Sequence, residues 1–270
     1  MRRGSRLTDD EFGRPEMVKL DADFIIIDSH AHVDEVPALG WIDPPDKLVA
    51  LLDQAGIAKA VVMSYTEAPS FNPSAIEDLA NAVAAYPDRL VGYARVHPWY
   101  GDQAAALLRR AVTEFGMRGL KLHPVGTLAH PADSSTLRLM GVAAELGVPV
   151  LFHCGDEPMT TPLAIAVAAR QTEATVILGH MGGYFHVEEA IRVAEQHNNV
   201  FLETSAMPYP GKIHEAIDRV GSERVLFASD GPGCRPHLEV RKVLMADLSP
   251  SALRHVFHDN IARLLEGTNK

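Results

Sequence analysis

Apolar positions along the chain follow two alternating patterns. Short runs rich in β-branched residues are FIIID (24–28), AVVMSY (60–65), LVGYAR (90–95), RGLKLH (118–123), VPVLFH (148–153), ATVILGH (174–180), NVFLETS (199–205) and RVLFASD (224–230). Between them lie longer segments with apolar residues at i, i+3 and i+4: 46–56, 74–86, 102–116, 134–147, 162–171, 187–197 and 213–221. The runs predict strands and the segments predict helices, several closed by a glycine, a common helix stop. Their alternation predicts parallel strands joined by crossover helices. Eight such units in 270 residues predict an α/β fold, a (β/α)8 TIM barrel forming a single domain over residues 21–270. An open doubly wound sheet is the second choice, since no glycine-rich phosphate loop follows the first run. Residues 1–20 are polar and unpatterned, and read as an N-terminal tail or strap.

Composition narrows the function classes. With 47% hydrophobic residues the chain can bury a large core, and no apolar run is long enough for a membrane span or a signal peptide. Cys154 and Cys234 are too few for a disulfide framework, which fits a reducing, cytoplasmic setting. A net charge of −10 without a basic block argues against nucleic acid and anionic membrane as partners, leaving a small-molecule substrate. Assembly into a homo-oligomer is compatible with this reading.

In a barrel of this kind, chemistry collects where strands finish. Five of the 13 histidines sit there: His30 and His32 on the first strand, His123 on the fourth with Lys121, His153 on the fifth and His180 on the sixth. Asp230 ends the eighth. Alternate residues of a strand share a face, so His30 and His32 project together into the mouth. With His153 and Asp230 they supply nitrogen and oxygen ligands of the kind that hold zinc with an open position. An isolated H-x-H is weak; its combination with the other strand ends is what carries the metal reading. Tyr65, Arg95, His97, Trp99 and Glu203 are further strand-end positions able to line a pocket. Cys154 faces the helices, and Gly182 and Gly183 permit a tight turn.

The motifs DSHAHV, GLKLHP, FHCG, LGHMGG and LFASDGP, in this order, resemble the amidohydrolase superfamily, in its amidohydrolase-related branch of metal-dependent hydrolases and non-oxidative decarboxylases. The similarity spans about residues 24–266. The resemblance implies that His30, His32, His153 and Asp230 bind one catalytic divalent ion, usually zinc, with His180 beside the metal-bound water. It also implies two roles for Lys121: carboxylated bridge between two metals, or, with one metal, a substrate-binding residue. His123 shapes the mouth, and Arg95 with Lys121 can clamp a substrate carboxylate.

A bound zinc lowers the pKa of water from 15.7 to about 7, and Asp230 is placed to move its proton. The motif context favours a metal-dependent hydrolase acting on an amide, lactone or ester of a small organic acid or ring compound. The alternatives are non-oxidative decarboxylation of a small unsaturated or aromatic carboxylic acid, with Asp230 or His180 protonating carbon, and a non-catalytic metal-binding barrel. The intact ligand set argues against the last.

Overall fold

The computed structural model describes residues 23–36, 41–65 and 74–267. The tail assigned to residues 1–20 lies outside them. All eight predicted strands are present: β1 (Ile26–His32), β4 (Ile57–Met63), β5 and β6 (Leu90–Gly92 and Ala94–Arg95), β7 (Leu120–Leu122), β8 (Val150–Phe152), β9 (Val176–Leu178), β10 (Val200–Glu203) and β11 (Val225–Leu226). Every pairing among them is parallel, in the order β1-β4-β5 and β6-β7-β8-β9-β10-β11.

Two seams join these sheets into a ring. Tyr93, between β5 and β6, donates its N–H to Val62 at 2.9 Å, and Ala94 donates to Gly119 at 2.8 Å, so one continuous stretch pairs backwards and forwards. At the other seam Ser29 N–H bonds Phe227 O, Asp230 N–H bonds His30 O, and His32 N–H bonds Gly231 O. The fold is a (β/α)8 TIM barrel.

Two apolar layers hold it together. Inside the barrel lie Ile27, Val61, Met63, Tyr93, Leu151, Ile177, Phe201 and Leu226, joined by Ile261 from the C-terminal helix Asn260–Glu266. The larger layer lies between strands and helices and includes Leu120, Leu122, Phe152, Cys154, Val200 and Leu202. Strand alternation distributes residues between the two. Cys154 thus faces the helices, as its position beside His153 implies. Gly119 must be glycine for packing reasons: a Cβ there would stand 2.5 Å from the Tyr93 ring.

The helices follow the predicted segments. Gly56 and Gly147 end theirs in the left-handed conformation, with φ 71° and 68°, and satisfy the last carbonyls. Thr161 caps Pro162–Ala169 by accepting from Ala164 N–H. An antiparallel hairpin, β2 (Asp34–Val36) with β3 (Trp41–Asp43), was not expected from the sequence. Its three-residue strands are too short to display alternation. No helix among the described residues is long and apolar enough to cross a membrane.

Candidate active site

The first strand solves a phase problem. Ile27 points into the barrel and Ala31 out of it, although four residues apart they should share a face. The β1–β4 register breaks between Asp28 and Ala31, and this irregularity switches the phase. His30 and His32 therefore turn inward above Ile27. Buried Asp28 anchors the break by accepting from His30 N–H and Ser229 N–H at 3.1 and 2.9 Å, tying β1 to the residues after β11. Burial pushes the Asp28 carboxyl up to about 7, against the hydrogen bonds from Ser229 and His30.

The other strands deliver their residues by simple alternation. Lys121 lies between outward Leu120 and Leu122, and Glu203 lies two beyond inward Phe201, so both face the interior. Two of the pocket residues sit on left-handed backbone: His180 at φ 59° and Asp230 at φ 55°. Such conformations in non-glycine residues cluster at functional sites. Gly182 and Gly183, at φ 85° and 72°, complete the turn after His180, as expected.

All eight predicted site residues line one cavity of about 470 Å³: His30, His32, Arg95, Lys121, His123, His153, His180 and Asp230. Tyr65 joins them, as do Gly126 and Glu157, neither of which had been singled out. His32 Nε2 lies 3.0 Å from Asp230 Oδ1, and His30 Nε2 lies 3.6 Å from the same oxygen. Lys121 Nζ donates to His30 Nε2 at 3.0 Å. His180 Nε2 meets His153 Nδ1 at 3.2 Å, and His153 Nε2 meets Glu157 Oε2 at 3.2 Å. The His123 and His153 rings lie 4.3 Å apart.

Of the weaker candidates, His97 instead caps the turn Pro98–Tyr100, and Trp99 is exposed. Glu203 is fully buried beneath the cavity and accepts from His30 Nδ1 at 2.8 Å.

Electrostatics favour neutral rings and an ionised carboxylate. Burial, with Lys121 nearby, holds His30 well below the usual imidazole range, and burial also lowers His153 and His180. His123 falls to about 2 through burial and the adjacent His153. Burial alone would raise the Asp230 carboxyl, but the His32 hydrogen bond and the charges around it outweigh this and keep it below the ordinary range. Burial and Arg95 bring Lys121 down to about 7, opposed by Asp230 and Glu203.

This donor set fits a divalent metal ion. His30, His180 and Asp230 each offer a ligand atom within 4.8 Å of the others, and neutral imidazoles with an ionised aspartate have the required lone pairs. His32 and His153 contact members of this group directly, His32 through Asp230 and His153 through His180. The geometry thus draws His180 into the set expected from His30, His32, His153 and Asp230.

Several solved structures share the fold. A 2,6-dihydroxybenzoate decarboxylase from Rhizobium is 18% identical with a TM-score of 0.71, covering 90% of this chain and 98% of that one. A dihydroxybenzoic acid decarboxylase from Polaromonas with bound manganese is 18% identical with a TM-score of 0.72, covering 90% and 97%. An uncharacterised TIM-barrel protein from Bordetella bronchiseptica is 21% identical with a TM-score of 0.74, covering 90% and 99%. No curated protein matches the chain by sequence. The family profile described as amidohydrolase matches residues 27–267, nearly the whole barrel, and the chain therefore belongs to the amidohydrolase family.

Proposed function

We propose that this chain is a metal-dependent non-oxidative decarboxylase of a small hydroxylated aromatic or unsaturated carboxylic acid. The observation that carries the reading is the pairing of a buried guanidinium, Arg95, with a buried amine, Lys121, on the wall of a cavity that also holds Asp230 and His180. A permanent guanidinium with a lysine beside it selects an anionic substrate and favours bidentate contact with a carboxylate. The cavity volume suits a single ring. The decarboxylases from Rhizobium and Polaromonas, on the same fold, support this alternative over the hydrolysis favoured by motif context.

The residues divide the work as follows. Arg95, fixed by donating Nη1 to the carbonyls of Ser64 and Tyr65 at 2.8 and 2.5 Å, orients the anionic end of the substrate with Lys121. Asp230 takes up a proton from solvent and passes it to the carbon that bears the carboxylate. The bond from that carbon to the carboxylate then breaks, its electron pair returns to the carbon, and carbon dioxide leaves. The net change is consumption of one proton for each carboxylate lost, so the donor is recharged from solvent. A divalent ion held by His30, His180 and Asp230, with His32 or His153, would supply Lewis-acid polarisation of substrate oxygens. Nitrogen and oxygen donors suit zinc and manganese alike, so the zinc expectation is carried forward as one divalent ion, or two if Lys121 is carboxylated.

A panel of hydroxybenzoates, unsaturated carboxylic acids, lactones and amides tests the proposal in oxygen-18 water with carbon dioxide followed in parallel. Carbon dioxide release with no oxygen-18 in the organic product is expected. Label incorporated into a ring-opened acid, without carbon dioxide, would restore hydrolysis.

A further inference from the structure

One buried carboxylate touches two of the cavity's histidines at once. Glu203 and His30 are both completely buried, and His30 Nδ1 lies 2.8 Å from Glu203 Oε1. The same Oε1 accepts from His180 N–H at 2.9 Å and from Ser205 Oγ at 3.0 Å, while Oε2 accepts from Ser205 N–H at 2.7 Å. Ser205 Oγ in turn lies 2.9 Å from His180 Nδ1.

We propose that Glu203 is a positioning residue that fixes the ring tautomers of His30 and His180 together, through a direct bond to one and a serine relay to the other. An ionised carboxylate only accepts, and it offers about four lone-pair sites. Three contacts meet at Oε1 and one at Oε2, and a bare ring nitrogen 2.8 Å from Oε1 would set lone pair against lone pair, so His30 Nδ1 carries its proton. The serine has one hydroxyl proton, and that proton lies between two oxygens 3.0 Å apart, because without it a lone pair would oppose the carboxylate. Ser205 Oγ therefore meets His180 Nδ1 as an acceptor, and His180 Nδ1 is protonated too. Both rings present Nε2 without a proton to the cavity: His30 towards Lys121 and Asp230, His180 towards His153. A carboxylate behind an imidazole raises its basicity and fixes its orientation, and removing such a partner costs about 10- to 100-fold in metal affinity. The inference holds for either reaction of the site, because it concerns the rings before substrate arrives.

The test is made on the full chain, stripped of metal and labelled with nitrogen-15 histidine, with long-range proton–nitrogen spectra reporting each tautomer. In the native protein His30 and His180 should both carry the proton on Nδ1. Ser205→Ala should release His180 alone, leaving His30 unchanged. Glu203→Gln should disturb both rings and weaken zinc(II) binding about 10- to 100-fold in a competition titration. Should Glu203→Gln not fold, Ser205→Ala still separates the branches. An Nε2 proton on either native ring, an unaltered His180 in Ser205→Ala, or native zinc affinity in folded Glu203→Gln would overturn the proposal.

Discussion

Arg95 and Lys121 are register partners in the ladder between β6 and β7, which sets a guanidinium and an amine side by side on the inner wall of the barrel, 3% and 2% exposed. So little water reaches them that their field is weakly screened. Lys121→Met removes the amine while keeping most of the side-chain volume. A hydrogen bond to a charged group contributes about 1.5–3 kcal/mol, so KM for a carboxylate substrate should rise about 10- to 100-fold. Metal content measured by elemental analysis should stay near one ion per chain. A fall from two ions to fewer would instead identify Lys121 as a carboxylated bridge.

Asp230→Asn removes a proton carrier and a carboxylate ligand of the divalent ion together. Asparagine tolerates the left-handed backbone that Asp230 adopts at φ 55°, so the local turn survives the substitution. The amide cannot relay a proton, and turnover should fall by several orders of magnitude while circular dichroism and the melting temperature remain close to native. Activity within tenfold of native would remove Asp230 from the chemistry.

How much of this was readable in advance depended on sequence distance. Each parallel strand is a compact apolar run buried on both faces, so all eight were legible, and the parity argument placed Cys154 on the helix side correctly. The end of β1 was not: 24–28 was expected, whereas the strand runs through the register break to His32. The break depends on Asp28 reaching Ser229, 201 positions away, which no local pattern reveals. Glu203 was legible only as a strand-end acid. Its partner His30 lies 173 residues earlier, and Ser205 gains meaning only once His180 is folded against it. Glu157 went unnoticed because its contact with His153, one helical turn away in number, occurs in a loop without helical pattern.

The barrel interior carries one polar defect. The Tyr93 hydroxyl is buried and finds no hydrogen-bond partner among the described residues. Tyr93→Phe removes the stranded group and leaves the ring against Gly119. Stability should rise by about 1 kcal/mol, equivalent to about 2–4 °C in melting temperature for a chain of this size. A lower melting temperature would mean that the hydroxyl is satisfied in solution.

On the outer helices, Arg219 joins Glu188, Glu195 and Glu215. Its hydrogen bond, with that of Lys212, holds Glu188 down to about 2, below the ordinary carboxylate value of 4.5. A depressed folded-state value stabilises above the unfolded value, and the gain is lost as pH falls from about 4.5 towards 2. Native protein should therefore melt above Glu188→Gln at pH 6 and lose that margin by pH 2. Water reaches these half-buried groups, so the margin corresponds to no more than about 1 kcal/mol and should shrink in 1 M salt. A margin unaffected by both acid and salt would point to packing instead.

The decarboxylase reading rests on a proton reaching the carbon that loses its carboxylate, and deuterium reports that event directly. Metal-loaded protein should be incubated in deuterium oxide with hydroxybenzoates and unsaturated acids, and the products examined by proton NMR alongside a chelator-stripped sample. The expected result is carbon dioxide together with one deuterium at the vacated carbon, absent after chelation and absent in Asp230→Asn. A product that keeps its carboxylate and gains an oxygen from water would contradict the account.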